Sequence, residues 1–495
     1  MINFDMNLLT AHLSQSISVF APEIALLVTF IVALFMDVVF KKTRNASGYT
    51  VCVGLVVTGI LLCTQCGVKD NIFVSMLAVD PFALFFKFLI LISSLVVCLM
   101  SFFSDELNKD DRKMGEYYSL IAGMTFGMFL LTGATNMIMI YLAIEMMSLT
   151  SYVLAGFTKE IKRASEASLK YVIYGSISSG IMVYGMSIMF GASGTMNLVE
   201  LAGLISAGKV AMMPMIVASL MIIAGFGYKI SAVPFHFWTP DIYEGAPVTI
   251  SAFLAVASKT AGFAGFIRFA QMILTNDPFL DWKIVLAVLA VLTMCIGNLS
   301  AIWQNNAKRL MAYSAIAHAG YVLMGMVVMD EVGISSIMIY LFMYAFMTLG
   351  AFAVIMLIAN KIGSEDLDDY NGIGYKMPVL GAFMVIFLFS LAGCPPTAGF
   401  VGKLYIFTAL FESGSQWAWL AVIGILNSVV SFYYYAKIMR NMYLRGDAND
   451  TVERYSFSSA SIALVAIITV PVVLFGIYFG PIVEWANNSV ALFFN

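Results

Sequence analysis

The chain has 495 residues, of which 61% are apolar and only 11% charged, with a formal net charge of −3. Soluble domains carry roughly a quarter charged residues, so this chain cannot hide its apolar surface in water-soluble cores. We expect an integral membrane protein. The same composition excludes a nucleic-acid binder, a disordered scaffold and a secreted disulfide module. The net charge of −3 leaves no overall basic field to attract polyanions.

Apolar runs of about 20 residues can cross the hydrocarbon core as helices, and about fourteen such runs occur. They predict an all-α integral membrane protein. The expected spans are 20–40, 49–66, 80–103, 117–132, 135–157, 168–191, 211–236, 247–270, 284–303, 309–328, 333–359, 378–411, 416–440 and 458–482. The expected units are N-terminal helices at 1–116, five-helix units at 117–270 and 284–440, and a C-terminal loop and helix at 441–495. The connecting segments are too short for a soluble flavin, nucleotide or iron–sulfur domain.

Loops that face the cytoplasm carry more Lys and Arg than loops that face outward. Of the 26 basic residues, about seventeen fall in loops on one side of the predicted membrane and about four on the other. We name these side A, which bears Lys109, Lys159 and Lys361, and side B. The basic residues assigned to side-B loops are Lys69, Lys209, Arg268 and Lys283. We expect side A to be cytoplasmic and both termini to face outward. No basic stretch precedes an apolar run at the N-terminus, so no cleaved signal peptide is expected.

The remaining five basic residues are lysines within predicted spans: Lys87, Lys170, Lys229, Lys259 and Lys403. A charged side chain at the bilayer centre costs roughly 2.5–3.5 kcal/mol, so such residues need partners or a function. Lys87 is close enough to the outer interface to snorkel. Lys170 lies near the side-A end of its span, where structural and functional roles fit equally. Lys259 and Lys403 lie deep in their spans, which favours a function.

Glu145 and His318 are titratable residues in the middle of predicted spans. A buried glutamate stays protonated when alone and ionises beside a lysine, so Glu145 is a candidate for a functional or a structural ion pair. A single histidine on an apolar helix is usually a satisfied core residue, but His318 shares the membrane plane with several titratable groups. This favours a proton-transfer role. For Glu23 and Asp37, in the first span, snorkelling at the ends of the span and contact with a partner surface both stay open.

Two predicted spans are interrupted. The seventh has Lys229 five residues before Pro234, and the twelfth has Pro395-Pro396 ahead of Lys403. Proline kinks a helix, and loosened backbone at membrane depth survives only against protein or a water-filled cavity. The breaks are five spans apart, which predicts inverted five-helix repeats in spans 4–8 and 9–13, as in ion-transport folds.

Together these residues suggest a proton relay. Burial weakens the hold of a lysine on its proton, and a nearby carboxylate strengthens it. We hypothesise that Lys229 keeps its proton while Glu145 is close. The proton then passes through Lys259 and His318, with water between them, to Lys403 and side B.

Other chemistry has little support in the sequence. It contains no P-loop, no HExxH motif and no GxGxxG after a strand, and three scattered histidines do not make a metal site. Cys63-Thr-Gln-Cys66 is a single CxxC pair, which cannot supply the four thiolates of an iron–sulfur cluster. No cofactor is expected in this chain, and the role of the cysteine pair stays open.

Several stretches of the chain resemble a known family. They are YKISAVPFHFWTPDIYEGAPVTISAFLAVASKTAGFAGFIRF (228–269), GNLSAIWQNNAKRLMAYSAIAHAGYVLMG (297–325), LAGCPPTAGFVGKLYIF (391–407), EMMSLTSYVLAGF (145–157) and SLKYVIYGSISSGIMVYGMSIMFG (168–191). Nearly the whole chain resembles the subunit N family of bacterial NADH-quinone oxidoreductase (complex I), an antiporter-like membrane subunit.

This resemblance implies fourteen spans, inverted repeats and a proton-translocating subunit in a bacterial inner membrane. The FMN, iron–sulfur clusters and quinone would belong to partner subunits. By motif match, the family's functional residues fall on Glu145 (the essential glutamate), Lys229 (its paired lysine), Lys259 (the central lysine), Lys403 (the exit-side lysine), His318 (the mid-helix histidine) and Lys170 (the lysine of the SLKY stretch).

Sister subunits and other functions are the alternatives. The L-type subunit is longer, with a lateral C-terminal helix, and the M type has a glutamate where Lys403 stands, so the N type is favoured. A subunit of a multisubunit sodium/proton antiporter is the alternative function, although the PFHFWTPDIYEGAP stretch at 234–247 argues against it. The second alternative is a structural membrane scaffold with inert, ion-paired lysines.

Overall fold

A computed structural model describes residues 6–40, 45–109, 113–445 and 454–494, with only the backbone described for 6–12, 492 and 494. Four basic residues of the side-A count lie outside the described residues: Lys41, Lys42, Arg44 and Arg112. The described chain is mostly helical, as its apolar runs predict. A small antiparallel hairpin of β1 (Asp70–Ile72) and β2 (Leu77–Val79) pairs Asp70 with Val79.

The helices follow one another along the chain. The first ten are α1 (Met6–Val19), α2 (Ala21–Val39), α3 (Ala46–Leu62), α4 (Pro81–Phe102), α5 (Gly115–Gly133), α6 (Met137–Ala155), α7 (Lys162–Ser193), α8 (Leu198–Ser206), α9 (Met212–Ile230) and α10 (Trp238–Gly245). The others are α11 (Val248–Phe253), α12 (Lys259–Phe269), α13 (Trp282–Ile302), α14 (Ala307–Val328), α15 (Glu331–Ile362), α16 (Ile373–Lys376), α17 (Pro378–Ala392), α18 (Ala398–Glu412), α19 (Ala418–Leu444), α20 (Ser459–Ile477) and α21 (Gly480–Phe494).

Helices occupy every predicted span, and the all-α membrane class is confirmed. In the described part of the chain, 12 helices are long and apolar enough to cross a membrane. The fourth predicted span is α5, which begins with the polar stretch Gly-Glu-Tyr-Tyr-Ser. The twelfth is divided between α17 and α18, of 15 residues each. The count of fourteen spans and the inverted repeats therefore stay predictions.

Both predicted helix breaks are present. The first separates α9 from α10, since α9 ends at Ile230 and Ser231 adopts a left-handed conformation with φ 64°. The second separates α17 from α18, where Gly393 has φ 87°. A left-handed residue ends a helix because it turns the chain away from the helical path. Each break therefore exposes the last backbone carbonyls of a helix at membrane depth.

One 27-residue helix, Val248–Leu274, forms the centre of the protein, and every residue from Val248 to Ala270 is buried. It joins α11 to α12 through a π-helical turn, Leu254–Ser258, and ends in another, Ala270–Leu274. π-Helical turns are frequent at functional sites, and the first of these ends directly before Lys259. Helices α14 and α15 are almost as deeply buried, whereas α2, α3, α7, α19 and α20 carry exposed apolar side chains, as expected of a lipid-facing periphery.

Candidate functional site

Lys229 lies in the last turn of α9, just before the first break, and its side chain is 1% exposed. Its amine donates to Ser148 Oγ on α6 at 3.1 Å. Glu145 lies on the same helix three residues earlier, yet its Oε1 atom is buried without a hydrogen-bond partner among the described residues. Lys229 therefore contacts the helix that carries Glu145, but its amine bonds to Ser148 and not to the carboxylate, so the Glu145–Lys229 pair stays a prediction.

Lys259 follows the π-helical turn of the central helix and is 2% exposed. Its amine donates to the Ala315 carbonyl of α14 at 2.8 Å. Gly262, one turn further on, faces the Lys229 side chain, because a Cβ built there would lie 3.5 Å from Lys229 Cγ. Small residues at this crossing therefore let the two lysines occupy the same layer of the protein.

His318 lies between two tyrosines. Its Nδ1 atom is 2.5 Å from the Tyr340 hydroxyl and its Nε2 atom is 3.1 Å from the Tyr435 hydroxyl. The Tyr435 hydroxyl also lies 2.5 Å from Ser314 Oγ. The ring is 3% exposed. Both ring nitrogens therefore have hydroxyl partners, and hydroxyls can either donate or accept a proton.

Lys403 lies on α18 and reaches back to the second break. Its amine donates to the carbonyls of Leu391 and Ala392 at 3.2 and 2.8 Å, and to Ser428 Oγ at 2.8 Å. These carbonyls end α17 and carry the negative end of its dipole, which stabilises a cation. The amine also lies 4.9 Å from the centre of the Tyr321 ring. The broken helix therefore provides the partners that a deeply buried lysine needs.

Helix α14 connects these groups. Ala315 accepts from Lys259, His318 follows three residues later, and Tyr321, which contacts Lys403, follows after three more. With a rise of about 1.5 Å per residue, these positions span only about 9 Å of helix. The side chains of Lys259, His318 and Lys403 thus line up along one helix, and water between such groups would permit proton transfer.

Lys170 has a different environment. Its side chain is 39% exposed, and its amine pairs with Glu166 at 2.8 Å and Asp241 at 2.9 Å. Arg309 also pairs with Asp241 and with Glu244, at 2.7 Å each. Burial would raise the pKa of Asp241, but the hydrogen bonds from Lys170 and Arg309 hold it below its ordinary value. Lys170 therefore belongs to a side-A ion-pair network and lies apart from the buried lysines.

Lys87 does not snorkel to the interface. It is 2% exposed and pairs with Glu23 on α2 at 2.5 Å, and it also donates to Gln65 Oε1 at 3.2 Å. Asp37 accepts from the backbone nitrogen of Gly115 at 2.6 Å, at the start of α5. These contacts join α2 to its neighbours, which gives Glu23, Lys87 and Asp37 a structural role.

Sequence reasoning misplaced one arginine. The charge count assigned Arg268 to a side-B loop, but it lies within the central helix, 1% exposed. It forms two hydrogen bonds with Asp80, at 2.9 and 3.0 Å, and its guanidinium lies 5.2 Å from the ring centres of Phe82 and Phe493. The sequence did indicate burial of this residue, because position 268 falls inside the predicted span 247–270.

Sequence reasoning also missed the hydroxyl partners Ser148, Tyr340 and Tyr435, since hydroxyls are common in membrane helices and carry no charge signal. Among the residues that the structure describes, no three His, Cys, Asp or Glu side chains form a group that could hold a metal ion. Cys63 and Cys66 are exposed free thiols.

Comparisons with known proteins place the chain in a family. A family described as "NADH:quinone oxidoreductase/Mrp antiporter, TM" matches residues 134–431. NADH-quinone oxidoreductase subunit N 2 of Chloroherpeton thalassium is 45% identical over 493 residues, covering 98% of this chain and 96% of that protein. The chain belongs to the NADH-quinone oxidoreductase subunit N family. A subunit N of Chlorobium chlorochromatii is 41% identical over 495 residues, with coverage of 98% and 96%.

Solved structures agree with this family. A chain of respiratory complex I from Thermus thermophilus with bound aureothin matches with a TM-score of 0.78 and 28% identity, covering 94% of this chain and 98% of that chain. A chain of the Mrp complex from Dietzia sp. matches with a TM-score of 0.81 but 19% identity, covering 96% and 97%. The second match shows a shared fold and no more.

Proposed function

We propose that this chain is a proton-translocating membrane subunit of an NADH-quinone oxidoreductase. It couples NADH oxidation and quinone reduction, which occur in other subunits, to proton movement across the membrane. FMN, iron–sulfur clusters and quinone belong to those partner subunits, and this chain holds no redox cofactor.

The observation that carries the proposal is the row of buried titratable groups along α14. His318 belongs to this helix, and Lys259 and Lys403 contact it at Ala315 and Tyr321, less than two turns apart. Each of the three titratable residues is at most 3% exposed. Buried lysines are costly in a membrane protein unless they have partners or a function. Here their partners are mainly carbonyls and hydroxyls, not carboxylates, which does not fit a static ion-pair scaffold.

The relay begins at Glu145 and Lys229 and ends at Lys403. In this structure the Lys229 amine is bonded to Ser148, whereas Glu145 Oε1 has no hydrogen-bond partner among the residues described and is the oxygen to which the amine would move. Movement of the amine between these two oxygens would change how firmly it holds a proton. Lys170 contributes from side A through its pair with Asp241, outside the buried row.

The direction follows from the charge bias of the loops. Side A is the cytoplasmic face of a bacterial inner membrane, and both termini lie on the outer side. Lys403 lies in the second half of the twelfth span, so protons that reach it leave toward side B.

The test uses the assembled enzyme in proteoliposomes. Lys259→Met keeps the length of the side chain and removes the titratable amine, so it is expected to lower the number of protons pumped per NADH oxidised. Lys69→Met, at an interfacial loop, is the matched control and should leave the yield unchanged. A Lys259→Met enzyme with the parent proton yield would overturn the proposal.

A sodium/proton antiporter subunit is the alternative, because the Mrp complex shares the fold. Deletion of the chain distinguishes the two functions. Loss of NADH-driven quinone reduction supports the oxidoreductase, whereas loss of sodium tolerance with normal NADH oxidation supports the antiporter. Neutral substitution of Lys229 and Lys403 without any effect on coupling would favour a structural scaffold.

A further inference from the structure

A cavity of about 480 Å³ lies among the side-A ends of the helices, apart from the buried row of lysines. Its walls come from the loop after α4, the ends of α10 and α15, and the start of α14. Five carboxylates and three basic side chains line it. The excess of acid makes it unsuited to an anion and favourable to protons.

Two of the lining side chains form a buried ion pair. Lys308, at the start of α14, is 3% exposed, and its amine lies 2.7 Å from Glu365 Oε1. The same amine donates to the Ala246 carbonyl at 3.0 Å. The amine of Lys308 is thus occupied by Glu365 and Ala246, and Glu106, which also lines the cavity, has no basic group within ion-pair distance among the described residues.

Glu106 is therefore the carboxylate best placed to take up a proton from the cavity. Burial raises the pKa of its carboxyl above the ordinary value, and the charge of Glu365 adds to this effect. The charges of Lys308 and Lys109 and a hydrogen bond from the Val248 backbone oppose it without cancelling it. The group thus changes its protonation state closer to neutral pH than an exposed glutamate would.

Three buried hydroxyls lie between this cavity and His318. Tyr243, Tyr344 and Thr348 are at most 3% exposed, and within the described structure none of their hydroxyl oxygens has a hydrogen-bond partner. Buried polar groups without protein partners are normally satisfied by internal water. Three such groups in one region indicate a hydrated path and not a packing defect.

The positions of these hydroxyls form a column along α15. The Tyr344 ring lies 5.0 Å from the His318 ring, Thr348 lies one turn further along the helix, and Phe352 one turn beyond that. The centres of the Tyr243 and Phe352 rings lie 6.4 Å apart, edge to face. Met356, the next turn, lines the cavity. Twelve residues separate Tyr344 from Met356, which is about 18 Å of helix.

We propose that the side-A cavity is a proton-uptake site and that the hydroxyls of Tyr243, Thr348 and Tyr344, with water between them, conduct protons from Glu106 to His318. This inlet rests on the proposed function, but it reaches the buried row at His318 without passing through Glu145 and Lys229.

Each step moves a single proton. A proton from the cavity binds the Glu106 carboxylate, and its O–H bond breaks as the proton passes to water. The water and hydroxyls each accept one proton and release another, and the last of them, the Tyr340 hydroxyl 2.5 Å from His318 Nδ1, passes its proton to that nitrogen. Glu106 returns to the carboxylate form, and no oxidant, reductant or other reactant is needed.

The decisive variant combines Tyr243→Phe, Tyr344→Phe and Thr348→Val. These changes keep the shape of each side chain and remove hydroxyls that lack a hydrogen-bond partner within normal distance among the described residues, so little folding energy is lost. In proteoliposomes at saturating NADH and quinone, the initial proton-pumping rate is expected to fall about tenfold, equivalent to about 1.4 kcal/mol of added barrier.

The matched control is Ser219→Ala, because this hydroxyl on α9 is also fully buried and has no hydrogen-bond partner within the described part of the chain. It should pump at the parent rate. An unchanged rate in the triple variant overturns the inlet, and so does an equal loss in the Ser219→Ala control.

Lys259→Met separates this proposal from the proposed function. If Lys259→Met pumps normally, the proposed function fails. If Lys259→Met loses pumping while the triple variant pumps at the parent rate, only the inlet at Glu106 fails. Glu106→Gln provides a second measurement, and slower pumping in this variant at unchanged enzyme assembly is the expected result.

Discussion

Gly393 controls where the Lys403 amine can lie, and its replacement by alanine makes a sharp prediction. The residue ends α17 in a left-handed conformation with φ 87°. A Cβ built there would lie 2.8 Å from Lys403 Cδ and 3.2 Å from Nζ. A separation of 2.8 Å between two carbon atoms is shorter than van der Waals contact. The lysine side chain in Gly393→Ala must therefore move away from the end of the helix.

Two effects set the magnitude. An alanine in the left-handed region costs about 1–2 kcal/mol. Displacement of the amine weakens its bonds to the Leu391 and Ala392 carbonyls, and a hydrogen bond to a charged group contributes about 1.5–3 kcal/mol. Loss of one such bond brings the total destabilisation to roughly 2.5–5 kcal/mol. Pumping should fall together with stability, because the amine no longer occupies its site beside Tyr321.

Gly194→Ala is the matched control. Gly194 follows the end of α7 with φ 76°, but a Cβ built there would have nothing within 4 Å. It should show only the backbone cost, about 1–2 kcal/mol, with normal pumping. The measurements are the thermal unfolding of the assembled complex and the proton yield per NADH in proteoliposomes. Equal destabilisation in the two variants, with pumping intact in both, would refute the idea that Gly393 positions Lys403.

Three further outcomes are expected. Ser148→Ala removes the hydroxyl that binds the Lys229 amine, and pumping should fall severalfold, whereas a normal yield would show that this bond is dispensable. Lys170→Met should reduce pumping less than Lys229→Met, because Arg309 still holds Asp241; a greater loss would contradict this order. The pKa of Asp241 is lower in the folded protein than in the unfolded chain, where it is about 3.9. The ionised carboxylate therefore stabilises the folded state above a pH of about 3.9. This contribution is lost as the pH falls through the pKa of the folded state. Thermal unfolding measured from pH 7 to pH 3 should show that Asp241→Asn loses less stability in acid than the parent; an identical pH profile would count against it.

The order of the helices and the location of the breaks could be predicted from the sequence because they depend on local chemistry. Apolar runs of spanning length must form helices in hydrocarbon, where every backbone polar group needs an internal partner. The segments with Pro234 and Pro395-Pro396 interrupt these helices, because proline disfavours a continuous helix whatever its tertiary surroundings. Lys259, His318 and Lys403 were conspicuous for the same reason, since charged or titratable groups in apolar runs are rare.

Where the prediction failed, the deciding interaction came from a distant part of the chain. Lys87 was expected to snorkel, but Glu23, 64 residues away, holds it in the interior. Arg268 was assigned to a loop, but Asp80, 188 residues away, makes its burial possible. The local sequence shows each charged residue without its partner. The cost of burying the charge depends on that partner, which only tertiary packing brings close.

By itself, the sequence determined that the chain is a bundle of membrane helices with a few lysines at depth, because hydropathy and helix breaking act over one or two turns. Only the tertiary structure decided what those lysines contact. It placed Lys229 on Ser148, Lys259 on Ala315 and Lys403 on the end of α17. The physical reason is that a proton-transfer contact depends on distances of about 3 Å between separate helices, and helix packing alone sets those distances.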